Sequence, residues 1–265
     1  MTYLYGSHVR ANGIRQHYLR YGGKGEPLLV LPGITSPAVT WGFVGERLGQ
    51  TYDTYILDAR GRGLSEAPAS ADYSLDAYAH DAAGVAAALG IPRYRLLGHS
   101  MGARSAARFS RLYGDRLVKL VLADPPLSGP GRRPYVRDLA YYLDAIHEAR
   151  AGLADPEKVR RNFPTWSDAN LHLRAEWLHT CDDVAIEKSL RGINEEDIHN
   201  DLAAARVPTL LIAAGKGGVI LEEDIAELKR VAPAIEVQRL AHCGHMLPFD
   251  DLDAFVRIVE GFLRS

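Results

Sequence analysis

Tyr94-Arg95-Leu96-Leu97-Gly98-His99-Ser100-Met101-Gly102 decides how the rest of the chain is read. A short run of buried-strand character, Tyr94–Leu97, leads into G-x-S-x-G, and a helical pattern, Met101–Tyr113, starts directly behind it. A serine on a strand-to-helix turn needs glycines around it, because larger side chains would collide where the backbone reverses. The turn pushes the Ser100 hydroxyl into a cleft, and the first N–H groups of the following helix face any negative charge that forms there. Ser100 is read as a nucleophile rather than as part of a merely tight turn.

On both sides of this elbow, short apolar runs alternate with longer helical patterns, the signature of βαβ units and a mostly parallel sheet. Strands are expected at Pro27–Leu31, Thr54–Leu57, Tyr94–Leu97, Leu117–Ala123, Thr209–Ala213 and Ile235–Leu240. Helices are expected at Trp41–Gly49, Leu75–Leu89, Met101–Tyr113, Glu222–Val231 and Leu252–Leu263. The opening segment, Thr2 to Gly22, reads as an antiparallel edge turning at Asn12-Gly13. Pro125 to about Arg206 breaks the rhythm with helical patterns and no strand, behind a stretch rich in proline and glycine. The expected organisation is an α/β core of residues 1–124 and 207–265 with a helical cap, 125–206, inserted in it.

Composition narrows the function classes. The chain has 265 residues, 47% apolar and 24% charged, which is ordinary globular composition with room for a large core and a pocket. Thirty-one basic and 33 acidic residues leave a net charge of −2, against a nucleic-acid or anionic-membrane footprint and in favour of a small-molecule ligand. Two distant cysteines, Cys181 and Cys243, suit neither a secreted disulfide framework nor a four-ligand zinc site. The start MTYLYGSHVR does not read as a signal peptide, so a cytoplasmic location is expected. The longest uncharged stretch, Pro27 to Gly45, is broken by Pro32, Gly33 and Pro37 and does not read as a membrane helix. Nothing sets an oligomeric state.

A serine hydroxyl needs a histidine to take its proton and a carboxylate to orient that histidine. Of ten histidines, only His245 follows the last expected strand and precedes the terminal helix, where the order Ser, acid, His requires the base. His242 is read as ending that strand and His99 as packing beneath Ser100. Leu31-Pro32-Gly33-Ile34 follows an earlier buried strand, so the backbone N–H groups of Ile34 and Met101 are the expected oxyanion donors. Asp58-Ala59-Arg60-Gly61-Arg62-Gly63-Leu64-Ser65 reads as scaffolding pinned by charged hydrogen bonds, and Glu66 stands where a phosphate-binding G-x-G-x-x-G would need glycine. No HExxH occurs, and nothing suggests a metal, flavin or nicotinamide.

Together these motifs resemble the α/β-hydrolase family over the whole chain, and the resemblance implies its fold, a central sheet flanked by helices. In most such proteins the acid follows the strand that here is Thr209–Ala213, yet that strand runs into Ala214-Gly215-Lys216-Gly217-Gly218-Val219 with no carboxylate. The preceding strand ends in Asp124, the alternative place for the acid in this fold. Asp124 is the expected acid, with Glu222, Glu223 or Asp224 as the alternative.

Further stretches, among them Ala11–Gly25, Pro32–Gly49, Asp124–Tyr135, Arg174–Cys181 and Gly215–Ile220, resemble family members that remove a formyl group from a small anionic amide. That implies a cofactor-free serine amidase whose partners are the substrate and water. The substrate's carboxylate then calls for a cation: Arg132 or Arg133 is favoured, with Arg104, Arg174 and Arg191 competing. Tyr135, Trp166, Trp177 and His179 are candidate pocket walls. An esterase, lactonase or C–C bond hydrolase using the same residues stays open, as does a non-hydrolytic receptor or cofactor-free oxygenase.

Overall fold

The computed structural model describes residues 1–68 and 70–265. Eight strands form one sheet: β1 (Tyr3–Ala11), β2 (Ile14–Tyr21), β3 (Pro27–Leu31), β4 (Asp53–Leu57), β5 (Tyr94–His99), β6 (Leu117–Ala123), β7 (Thr209–Ala214) and β8 (Glu236–Leu240). Their spatial order is β1-β2-β4-β3-β5-β6-β7-β8. Every pair from β4 to β8 is parallel, while β1 and β2 add an antiparallel edge. The edge hairpin turns at Asn12 and Gly13, both with positive φ (49° and 79°), which asparagine and glycine tolerate.

Helices cover both faces, so the central strands are apolar throughout rather than alternating. Leu28, Leu29 and Val30 of β3 are fully buried. On one face lie α2 (Leu75–Ala88) and α3 (Met101–Tyr113), where alanines 79, 82 and 86 meet alanines 103, 106 and 107 and allow close approach. The other face carries α1 (Gly42–Leu48) and α11 (Leu252–Arg264), packed through Trp41, Val44, Phe255 and Val259.

Between β6 and β7 the described residues form helices and no strand: α4 (Leu139–Arg150), α5 (Pro156–Asn162), α6 (Asp168–Trp177), α7 (Asp183–Glu195) and α8 (His199–Ala203). Four of them begin at a side-chain cap, Asp138, Asp155, Ser167 or Asp182, each accepting from a first-turn N–H. After β7 come α9 (Glu222–Val231) and, behind β8, the single-turn α10 (Leu247–Asp250), which the sequence reading did not anticipate. No helix among the described residues is long and apolar enough to cross a membrane.

Candidate active site

Three neighbouring parallel strands end at the same level. The Ser100 N–H donates to the Ala123 carbonyl (2.9 Å), and the Asp124 N–H to Ile212 (2.8 Å), so Ser100 and Asp124 leave β5 and β6 side by side. Both residues have positive φ, 54° and 47°, the left-handed region that costs a non-glycine residue energy and turns its side chain out of the strand direction. The flanking glycines are required sterically: a Cβ on Gly102 would sit 2.0 Å from the Leu31 carbonyl oxygen, and one on Gly98 2.3 Å from that of Gly102.

His245 arrives from the loop between β8 and α10. Its Nε2 lies 2.9 Å from Ser100 Oγ, and its Nδ1 lies 2.7 Å from Asp124 Oδ2. Asp124 is fully buried, and its other oxygen accepts the Ala214 N–H (2.9 Å), which fixes the carboxylate plane. Carboxylate, imidazole and hydroxyl thus form one hydrogen-bonded chain, with the imidazole placed to take the hydroxyl proton and the carboxylate to orient the imidazole. Two of the alternative acids are engaged elsewhere: Glu222 pairs with Arg239, and Asp224 accepts the Leu221 N–H and pairs with Arg133.

His99 supports this chain from below. Its Nε2 bonds the His245 carbonyl oxygen (2.8 Å), while its Nδ1 is buried without a partner, so the proton sits on Nε2. Complete burial, reinforced by the neighbouring His245, pushes its pKa down to about 3, and the ring stays neutral. Helix α3 starts at Met101, so the Met101 N–H lies at its very start, ahead of the Ala103 and Arg104 N–H groups that donate to the Ser100 carbonyl. Gly33, packed beside His99 and Ser100, and Ile34 also line the site.

Above Ser100 and His245 opens a cavity of about 380 Å³, walled by Thr35, Tyr135, Tyr142, Phe163, Arg174 and Val219 among others. Arg174 reaches it from α6, its guanidinium donating to the Thr35 carbonyl (2.6 Å) and to Thr35 Oγ1 (2.9 Å). The hydroxyl of Tyr142 lies 3.4 Å from that of Tyr135, and burial pushes both phenols above the usual tyrosine range, so they stay protonated. Arg137 and Lys216 also touch the cavity from exposed positions.

Several expected pocket residues lie elsewhere. Arg132 and Arg133 are outside the cavity lining because the chain after Asp124 carries them to α9: Arg132 grips Glu227 with two hydrogen bonds, and Arg133 pairs with Asp224 (2.8 Å). Among their competitors, Arg191 is exposed near Glu195. Arg104 is wholly buried, donating to the carbonyls of Pro126, Ser128 and Glu196, and burial lowers its pKa to about 10. Trp166 is core, stacked between Phe163 and Phe249 at 4.3 and 4.1 Å, and Trp177 and His179 do not reach the cavity. Of the proposed walls, Tyr135 is the one that lines it. The sequence reading did not single out Thr35, Tyr142 and Phe163, which carry no motif of their own.

A model of the alpha/beta hydrolase family matches residues 28–258. The chain belongs to the alpha/beta hydrolase family. Among its relatives, N-formylmaleamate deformylase from Pseudomonas putida (strain KT2440) is 53% identical over 99% of this chain and 97% of its own length. A 2-(acetamidomethylene)succinate hydrolase from Mesorhizobium japonicum is 36% identical over 93% of this chain and 91% of its own. The crystal structure of the N-formylmaleamic acid deformylase of Pseudomonas putida S16, solved with one serine replaced by alanine, superposes with a TM-score of 0.90. It is 46% identical, and the match covers 96% of this chain and all of that one. Within the alpha/beta hydrolase family this chain is thus similar, along nearly its full length, to two N-formylmaleamate deformylases.

Proposed function

We propose that this chain is a serine amidase that hydrolyses N-formylmaleamate to maleamate and formate, a step of nicotinate breakdown, using no metal or organic cofactor. The observation that carries the reading is the bonded chain Ser100–His245–Asp124 opening into a cavity whose half-buried cation is Arg174. The 53% identity to a deformylase over nearly the whole chain supports the choice of substrate.

In this reading Ser100 Oγ attacks the formyl carbon while its proton passes to His245 Nε2. Asp124 holds the imidazole by Nδ1 and stabilises the imidazolium. The oxyanion forms against the N–H groups of Ile34 and Met101. When the C–N bond breaks, His245 returns the proton to the leaving nitrogen, maleamate departs, and a formyl ester remains on Ser100. Water, losing a proton to His245, attacks that ester; formate leaves, and the proton goes back to Ser100.

Arg174, rather than Arg132 or Arg133, grips the substrate carboxylate, since those two are committed to acids of α9. Residues 125–206 act as a cap that walls the cavity, and the core is 1–124 with 207–265. Two free cysteines and balanced charge support a cytoplasmic enzyme acting on a small solute.

The deciding experiment mixes purified protein with N-formylmaleamate and follows formate and maleamate with and without EDTA. Equimolar release unaffected by EDTA is expected. Turnover of p-nitrophenyl esters without formate release would keep the Ser100 chemistry and overturn the substrate.

A further inference from the structure

Arg62 is 1% exposed, yet its guanidinium meets no carboxylate among the described residues. Two residues earlier, Arg60 is equally buried but grips both oxygens of Asp81. Arg62 instead donates to neutral acceptors: the Ile34 carbonyl (2.9 Å), the Arg60 carbonyl (2.8 Å), Tyr78 Oη (2.7 Å), Ser189 Oγ (2.8 Å) and the Ala185 carbonyl (3.3 Å). Its Nη2 also lies 3.7 Å from Met101 Sδ. Burying an ion without a counter-ion is among the costlier arrangements a fold can hold, and carbonyl and hydroxyl dipoles offset only part of that cost.

The position of this ion suggests what it does. Ile34 and Met101, the two residues proposed to receive the oxyanion, touch the same guanidinium, and Arg62 itself does not line the cavity. Ala185 and Ser189 belong to α7, so one side chain ties the Ile34 turn, the start of α3 and a helix of the cap together. The loop that carries Arg62 is itself rigid, with Asp58 accepting the N–H groups of Ala38 (2.6 Å) and Leu64 (3.0 Å).

We propose that Arg62 is a positioning residue for the hydrolysis. Resting on the Ser100 reading above, it pins the Ile34 carbonyl, in the peptide directly after the proposed Ile34 N–H donor, and packs against the Met101 side chain, so that the backbone carrying both donors is held in place. It also keeps a positive charge next to both residues, matched when a negative oxygen develops at their N–H groups. A charge already in place needs no reorganisation during the reaction, which is where such stabilisation is largest. It favours the tetrahedral state over the bound amide, so its loss falls on kcat.

The test compares Arg62→Met, Arg62→Lys and Ser189→Ala with the parent, reading kcat and KM for formate release and inhibition by two probes. A small alkylboronic acid accepts the Ser100 oxygen and forms a tetrahedral anion, whereas maleate engages the carboxylate anchor without a tetrahedral centre. For Arg62→Met, kcat should fall roughly 10–100-fold and the boronate weaken by a similar factor, with KM and maleate inhibition changing less than about threefold. Arg62→Lys should recover part of both losses. Ser189→Ala, which leaves the Ile34 bond in place, should lower kcat a few-fold. If Arg62→Met does not fold, the lysine and Ser189 variants decide. Equal weakening of boronate and maleate, or no weakening of either, overturns the proposal. Turnover surviving in Ser100→Ala would instead overturn the underlying reading, whereas a dead Ser100→Ala beside fully active Arg62 variants removes this proposal alone.

Discussion

Asp124 and Arg174 approach the proposed site from opposite sides and are held there by different means. Asp124 follows directly from a strand end, with its backbone N–H fixed to Ile212 and its carboxylate to Ala214. Arg174 comes from α6 and is held by its own side chain against Thr35, a residue 139 positions away. The sheet side places chemical groups through backbone geometry, which a few adjacent residues encode. The helical side places Arg174, the proposed recognition group, through long-range side-chain contacts that adjacent residues do not announce. The first arrangement is rigid to within a rotamer, while the second can change partners with one substitution.

If that contrast holds, variants on the sheet side should lose far more than variants on the helical side. Ser100→Ala should lower kcat/KM by roughly 10⁴-fold or more, measured as formate release. Asp124→Asn, which presents an amide to His245 and upsets its tautomer, should lose on the order of 10³–10⁴-fold, while Glu222→Gln should stay within about twofold. A larger loss at Glu222 would move the acid to the loop after β7. Arg174→Met should cost about 10–100-fold in kcat/KM, the scale of one charge-assisted contact. Arg132→Ala, which breaks a half-exposed pair with Glu227, should change activity less than about twofold and stability by about 1 kcal/mol or less. If Arg132→Ala proved worse than Arg174→Met, the assignment of the anchor would be reversed.

The smallest effect on activity at neutral pH, and a distinct one on stability, belongs to His99. Its pKa in the folded chain is about 3, against an ordinary value of 6.5. Above pH 6.5 the ring is neutral in both folded and unfolded chains and adds no pH dependence. As pH falls below that, the unfolded chain binds a proton that the folded chain refuses, so stability declines, by about 2 kcal/mol at pH 5 relative to pH 8. His99→Gln keeps a donor for the His245 carbonyl but does not titrate. Denaturant unfolding at the two pH values should show a smaller difference for this variant.

The same contrast explains what the sequence made legible. Met101–Tyr113, Pro27–Leu31 and Leu117–Ala123 coincide with α3, β3 and β6 as read, because a buried strand or a helix behind an elbow is fixed by its own few residues. The absence of a carboxylate after β7 directs attention to Asp124 for the same local reason, and the structure places its carboxylate 2.7 Å from His245 Nδ1. Closeness to Asp124 in sequence does not bring Arg132 and Arg133 to the cavity wall. The chain turns away after its prolines, and the acids of α9, about ninety residues on, capture both side chains. Trp166 misled for a related reason: an aromatic residue on an inserted segment has the same composition whether it faces a cavity or stacks on Phe249. Arg62 was legible as scaffolding, but its lack of a counter-ion is visible only once Ile34, Ser189 and Tyr78 surround it.

With Asp124 at the end of β6 as the proposed acid, the turn after β7 is left without the task of orienting His245. Gly215–Ile220 nevertheless borders the cavity through Lys216, Gly217 and Val219, and Gly217 and Gly218 both adopt positive φ. Mutational drift in this segment can therefore reshape the opening toward a bulkier or differently charged amide while the hydrolytic apparatus stays intact. In this proposed arrangement the fold separates an inheritable catalyst from an adjustable mouth.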